Sequence, residues 1–122
     1  MALNKGDIVL VEFPFTDLSQ TKLRPAIVLA VSIWLDEITL CFVSSQAVDV
    51  LKSNEFALHP TDPEFAETGL RVASKVKVRV TRITTLNSLL IKRRLGRLGS
   101  RSTQALNEYL LQAFRLQRPN EE

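Results

Sequence analysis

Apolar positions along the chain fall into short runs of strand type, followed by a single stripe of helical spacing near the C-terminal end. Residues 8–13 (IVLVEF) are rich in β-branched side chains, follow Gly6-Asp7 and stop at Pro14. This predicts a strand with one charged position, Glu12. Residues 15–23 (FTDLSQTKL) are polar and carry turn formers, which predicts a fairly long loop. Residues 25–32 (PAIVLAVS) are apolar on both faces, the pattern of a central strand. Pro25 is expected only at its beginning, because proline cannot donate to a ladder. A turn over 34–37 leads to a third strand over 38–45, whose apolar run ends in the polar triplet Ser44-Ser45-Gln46.

The second half continues with a short strand over 54–58. Thr61-Asp62-Pro63-Glu64 has the form of a capping box with proline near the first turn, which predicts a short helix over 62–67 stopping before Gly69. Residues 73–83 alternate, with Lys75, Lys77 and Arg79 on one face and Val76, Val78 and Val80 on the other, and 89–95 read as a weaker strand. Ser100 suits the N-cap of a final helix. Its stripe is Leu106, Tyr109, Leu110, Ala113 and Phe114, and Pro119 would end it. Strands first and one packed helix last predict a mainly β protein with α structure. The expected form is a small, strongly bent antiparallel sheet or β-barrel over about 6–99, closed by a C-terminal helix over about 101–117.

Composition narrows the class. A chain of 122 residues fits a single domain spanning 1–122. With 45% hydrophobic and 24% charged residues it is not disordered throughout. The longest apolar stretch without a charge, residues 25–35, falls short of the roughly 20 residues a membrane helix needs. No secretory signal is visible, and the lone Cys41 cannot form an internal disulfide, so a reducing, cytoplasmic location is expected. Only 4 glycines are present, and neither a P-loop nor a dinucleotide fingerprint occurs.

Charge is uneven. The net charge is +3, yet residues 71–101 hold ten Lys or Arg and no Asp or Glu, against a net of −6 before them and −1 after. Such a block suits a polyanion or an acidic protein as partner, or serves as a solubilising face.

Candidate chemistry is sparse. His59 is the single histidine, beside Pro60, which rules out an acid–base pair of histidines within one chain and reads as a surface side chain. Cys41 lies inside a strand and reads as a small buried hydrophobe. No set of His, Cys and carboxylates has zinc spacing, and no D-x-D pair suggests a two-metal site, so no metal or cofactor is expected. Arg24, directly before the Pro25 strand, offers planar bidentate hydrogen bonds to a phosphate, or else a surface ion pair. Ser44 offers a hydroxyl donor at the end of the third strand, or else a bond to nearby backbone.

Several stretches occur in order: G-D-I-V-L-V-E-F-P-F-T-D from Gly6, K-L-R-P-A-I-V-L from Lys22, V-S-S-Q from Val43, G-L-R-V-A-S-K-V-K from Gly69, and T-L from Thr85 with L-G-R-L from Leu95. Together they resemble the MazF/PemK family, the toxin half of type II toxin–antitoxin pairs, over roughly residues 6–114. The resemblance implies an SH3-like barrel, usually a homodimer, and metal-independent cleavage of single-stranded RNA or mRNA at short sequences. Such cleavage leaves 2′,3′-cyclic phosphate and 5′-hydroxyl ends and inhibits translation and growth. It also implies a cognate antitoxin protein as partner.

By the same resemblance Arg24 and Ser44 form the catalytic pair. Ser44 stands where the family carries threonine, Ser45 is the adjacent alternative, and Gln46 falls on the family's glutamine. Lys22 is the only cation of the loop expected to flank the RNA channel. The face of Lys75, Lys77 and Arg79 would track the phosphate backbone, or protect a sheet edge. Two alternatives keep the fold without the nuclease: a gyrase-poisoning toxin, or an RNA- or protein-binding barrel with a decayed site.

Overall fold

The computed structural model describes residues 2–13 and 22–117. These hold strands β1 Asp7–Phe13, β2 Lys22–Ser32, β3 Glu37–Ser44, β4 Glu55–Leu58, β5 Ser74–Lys77, β6 Ile83–Asn87 and β7 Ile91–Arg97, followed by helix α1 Ser100–Ala113. The strands pair antiparallel in the order β4-β5-β3-β2-β1-β7, with β6 also on β3. The path is open among the described residues, since β4 and β7 end it without pairing to one another, so of the two forms expected the structure takes the antiparallel sheet with a C-terminal helix.

β2 is central, as its two apolar faces predict. Ala26, Ile27 and Val28 are fully buried, and they serve two different cores. Ile27 joins Ile8, Cys41, Val76 and, from α1, Leu106. Ala26 and Val28 join Val9, Val11, Leu40 and Ile91. The period of two along each strand sends alternate side chains to opposite faces, and both faces are covered. Burial pushes the Cys41 thiol up to about 12, which leaves it an inert part of the first core.

Several element bounds differ from those expected. The strand over 73–83 is broken, because Val80–Arg82 form a 3-10 turn in which the Arg82 amide donates to the Arg79 carbonyl at 2.7 Å. β6 and β5 therefore occupy successive parts of one edge of β3, at Glu37 to Cys41 and at Phe42 to Ser44. β2 begins at Lys22, earlier than expected, with Lys22 and Leu23 already paired to Phe13 and Glu12; the rest of the loop lies outside the described residues. The third strand ends at Ser44, and Ser45 lies beyond it.

The acid of the Thr61–Glu64 pattern serves another helix. Glu64 accepts from the Arg101 amide at 3.2 Å, the Ser102 amide at 3.4 Å and the Ser100 hydroxyl at 3.2 Å. A carboxylate at the start of the long final helix satisfies orphan N–H groups and faces the positive dipole end. The helix expected over 62–67 shrinks to one 3-10 turn, Phe65–Thr68. Gly99 is the N-cap of α1 and Ser100 its first helical residue. The apolar stripe holds at Leu106, Tyr109 and Leu110, with the Tyr109 ring stacked on Phe56 at 5.6 Å. The helix ends at Ala113, Phe114 beyond it is half-exposed, and Pro119 lies outside the described residues.

Candidate active site

The β2–β3 ladder ends at the rung Ala26↔Phe42. Its register, continued, would set Pro25 opposite Val43 and Arg24 opposite Ser44. Proline has no N–H to donate, so this is where the ladder stops. β2 stays held by β1, through Leu10↔Pro25 and Val11↔Arg24, while β3 stays held by β5, through Val43↔Val76 and Ser44↔Lys75. Between them opens a cleft of about 340 Å³, which Arg24 and Ser44 both line. Pro25 thus sits inside β2, not at its start, and the arginine–proline pair marks the point where the strands part.

Lys22, Ser45, Gln46 and Lys77 line the same cleft. Arg24 is exposed, and among the described residues it has no carboxylate within ion-pair distance. The Ser44 Oγ accepts from the Gln46 amide at 3.1 Å. This local bond uses one lone pair and leaves the hydroxyl proton to donate into the cleft. Lys77 is half-buried, and its amine is held below the ordinary lysine value. Burial is the main cause; the charges of Arg82, Lys75 and Arg79 add to it and Glu55 opposes it.

Lys75 and Arg79 are placed differently, and neither lines the cleft. The Lys75 amine lies 3.0 Å from Glu55 Oε1 and donates to the Val50 carbonyl at 2.9 Å. Arg79 lies 3.3 Å from Glu55 Oε2. The Glu55 side chain is 0% exposed and that of Lys75 6%. Burial pushes the Glu55 carboxyl up, but the Lys52 amide, Lys75 and Arg79 outweigh it and hold the group below its ordinary value. The three cations therefore do not form one exposed row: two close on a buried acid and Lys77 alone faces the cleft. Nor is the basic block without acids in three dimensions, since Glu12 also pairs with Lys92 at 2.6 Å and Asp7 meets Arg94 at 4.0 Å.

Arg71 also lines the cleft, a position that strand alternation did not single out because it precedes β5. The signal was present in the G-L-R-V stretch. His59 is exposed and apart from the cleft. Among the described residues no group of three His, Cys, Asp or Glu is placed to hold a metal ion, and no helix is long and apolar enough to cross a membrane.

Residues 4–114 match the PemK-like, MazF-like toxin family of type II toxin–antitoxin systems, and the chain belongs to that family. The fold is shared with solved structures of low sequence identity. An endoribonuclease from a mycobacterial species, solved in complex with its cognate antitoxin, aligns with a TM-score of 0.69 at 16% identity, covering 97% of this chain and 100% of that one. The Mycobacterium tuberculosis toxin MazF-mt6 aligns with a TM-score of 0.69 at 20% identity, covering 92% of this chain and 99% of that one. A further mycobacterial endoribonuclease reaches a TM-score of 0.68 at 16% identity, over 98% of this chain and 97% of that one. Among curated protein sequences none matches the chain significantly.

Proposed function

We propose that the protein is a toxin acting as a metal-independent, sequence-specific endoribonuclease on single-stranded RNA, restrained by a cognate antitoxin. The observation that carries this reading is the cleft between the parted ends of β2 and β3, with Arg24 on one wall and Ser44 on the other. Family membership and the likeness to endoribonucleases of the same fold support it.

The reaction class that fits is transesterification. The RNA 2′-oxygen loses its proton and bonds to the adjacent phosphorus, the P–O5′ bond breaks, and the 5′-oxygen gains a proton. A 2′,3′-cyclic phosphate and a 5′-hydroxyl result. Negative charge builds on the phosphoryl oxygens, where preorganised donors act most strongly. Arg24 acts on that charge as a planar cation and takes no proton. Ser44 donates a hydrogen bond to the phosphate or to the leaving oxygen. Lys22 and Lys77 add positive charge along the same cleft, with Ser45 and Gln46 at its rim. Homodimer assembly and a cytoplasmic location belong to the same reading.

Serine in place of threonine makes this reading testable. Ser44→Ala is expected to lower the cleavage rate roughly 10–1000-fold, whereas Ser44→Thr stays active, its β-branch narrowing the rotamers open to the hydroxyl. Cleavage rates on a labelled RNA check both, with Ser45→Ala as the control. Full activity in Ser44→Ala together with loss in Ser45→Ala moves the role one residue along. Full activity in both removes the strand-end hydroxyl from the chemistry.

A further inference from the structure

Beside the cleft of Arg24 and Ser44 lies a second one of about 320 Å³, and Leu70 and Arg71 line both. The second is completed by Gly69 with Leu10 of β1, and by Arg93, Arg94 and Leu95 of β7. No acidic residue is among these.

Two backbone features build it. Gly69 has φ +72, and a Cβ there would lie 2.0 Å from the Leu95 carbonyl oxygen. A Cβ on Gly96 would lie 2.2 Å from the Glu67 carbonyl oxygen. The Phe65–Thr68 turn and β7 are thus pressed backbone to backbone, as only glycine permits at both points. That contact sets Arg71, two residues after Gly69, beside the β7 arginines. It also gives the G-L-R and L-G-R stretches a physical purpose that the reaction itself does not supply. The second feature is register. The β1–β7 ladder shifts on both sides of the rungs Leu10↔Arg93 and Val9↔Arg94. Both shifts fall outside this pair of rungs, next to Leu95 and Lys92, and both arginines line the cleft.

The charges are also available. Lys75, Arg79 and Lys92 are closed on Glu55 and Glu12. Arg71, Arg93 and Arg94 are all exposed. Among the described residues Arg71 and Arg93 have no carboxylate within ion-pair distance, and Arg94 meets Asp7 only at 4.0 Å. Three guanidiniums with planar donor forks suit phosphodiester oxygens. The two clefts meet at Leu70 and Arg71, so a single strand that crosses Arg71 would pass from one to the other.

The geometry points to a second phosphate-binding subsite, in which Arg71, Arg93 and Arg94 hold the backbone of RNA nucleotides flanking the bond to be cut. This rests on the reading that the first cleft takes RNA. Binding is measured by fluorescence anisotropy with 2′-O-methyl RNA oligonucleotides of mixed sequence and increasing length, which lack the nucleophile and stay intact. Wild-type affinity should rise with length as the strand reaches the second cleft. Arg93→Gln with Arg94→Gln should lose about tenfold on the longest oligonucleotide, stay within about twofold on the shortest, and lower the salt slope by roughly 1. Both positions are exposed, so circular dichroism and melting should match the wild type.

Unchanged affinity and slope at every length would overturn the subsite, as would an equal loss at every length, which marks diffuse charge. Lost binding of poly-glutamate with undiminished RNA binding would overturn it too, by assigning the cleft to an acidic protein segment. Cleavage by the wild type is assayed separately. Uncut RNA with a length-dependent loss in the variant removes the nuclease reading and leaves the subsite standing. Cleavage with unchanged binding in the variant does the reverse.

Discussion

Replacing Arg24 by alanine is expected to slow RNA cleavage by at least about a hundredfold, equivalent to ~2.7 kcal/mol of transition-state stabilisation, with the fold intact. The side chain is exposed at the point where β2 and β3 part, so its removal leaves no cavity and breaks no described ion pair. What it removes is the cation nearest the proline that ends the ladder. Arg24→Lys keeps the charge but loses the planar fork, and its rate should fall between wild type and alanine. Single-turnover rates, with circular dichroism as the control, measure both. Retention of more than about a tenth of the wild-type rate would leave Arg24 supplying less than ~1.4 kcal/mol and remove it from the chemistry.

The largest effect on stability is expected at Glu55. Its carboxylate is buried between Lys75 and Arg79, and Glu55→Ala leaves the Lys75 amine buried without a counter-charge. Breaking a buried pair in this way costs about 3–5 kcal/mol, which lowers the melting temperature by roughly 10 °C or more. Glu55→Gln, which keeps the shape, should follow in the same direction with a smaller loss. The pH dependence has a defined sign. The folded-state carboxyl is held below its ordinary value, so its contribution is complete above the ordinary carboxylate range. It fades as pH falls through the depressed folded value, and Glu55→Gln should lose that part of the acid limb. Urea denaturation across acidic pH measures this, and a Glu55→Gln protein within about 1 kcal/mol of wild type at neutral pH would mean the buried pair adds little.

Local chemistry made much of this fold legible. Strong β-branched runs placed β1 to β3, the doubly apolar run over 25–32 placed β2 at the centre, and the stripe from Leu106 to Leu110 seated α1 on one core. Arg24 and Ser44 were legible as a pair through the family resemblance, since their positions alone fitted a surface ion pair and a backbone bond equally, and the structure sets them on one cleft. What the linear pattern concealed depends on partners distant along the chain. Lys75 and Arg79 alternate like an exposed face, yet Glu55, some twenty residues earlier, draws both inward. Glu64 reads as part of its own capping box and instead caps a helix that begins at Ser100. The cleft that Arg93 and Arg94 line depends on the close approach of Gly69 to Leu95 and on register shifts flanking the two arginines, neither of which alternation shows. Bulges and long-range ion pairs have no periodic signature, so alternation alone misplaces the side chains they control.

The central claim is that this cleft cuts RNA by internal transesterification, with Arg24 stabilising the charge. The most direct measurement is the chemical identity of the RNA ends after incubation with purified protein in excess EDTA, with Arg24→Ala alongside. The expected result is cleavage at recurrent short sequences with 2′,3′-cyclic phosphate and 5′-hydroxyl ends, lost in Arg24→Ala. RNA left intact by the wild type, or ends carrying a 5′-phosphate that appear only when a divalent metal is added, would contradict it.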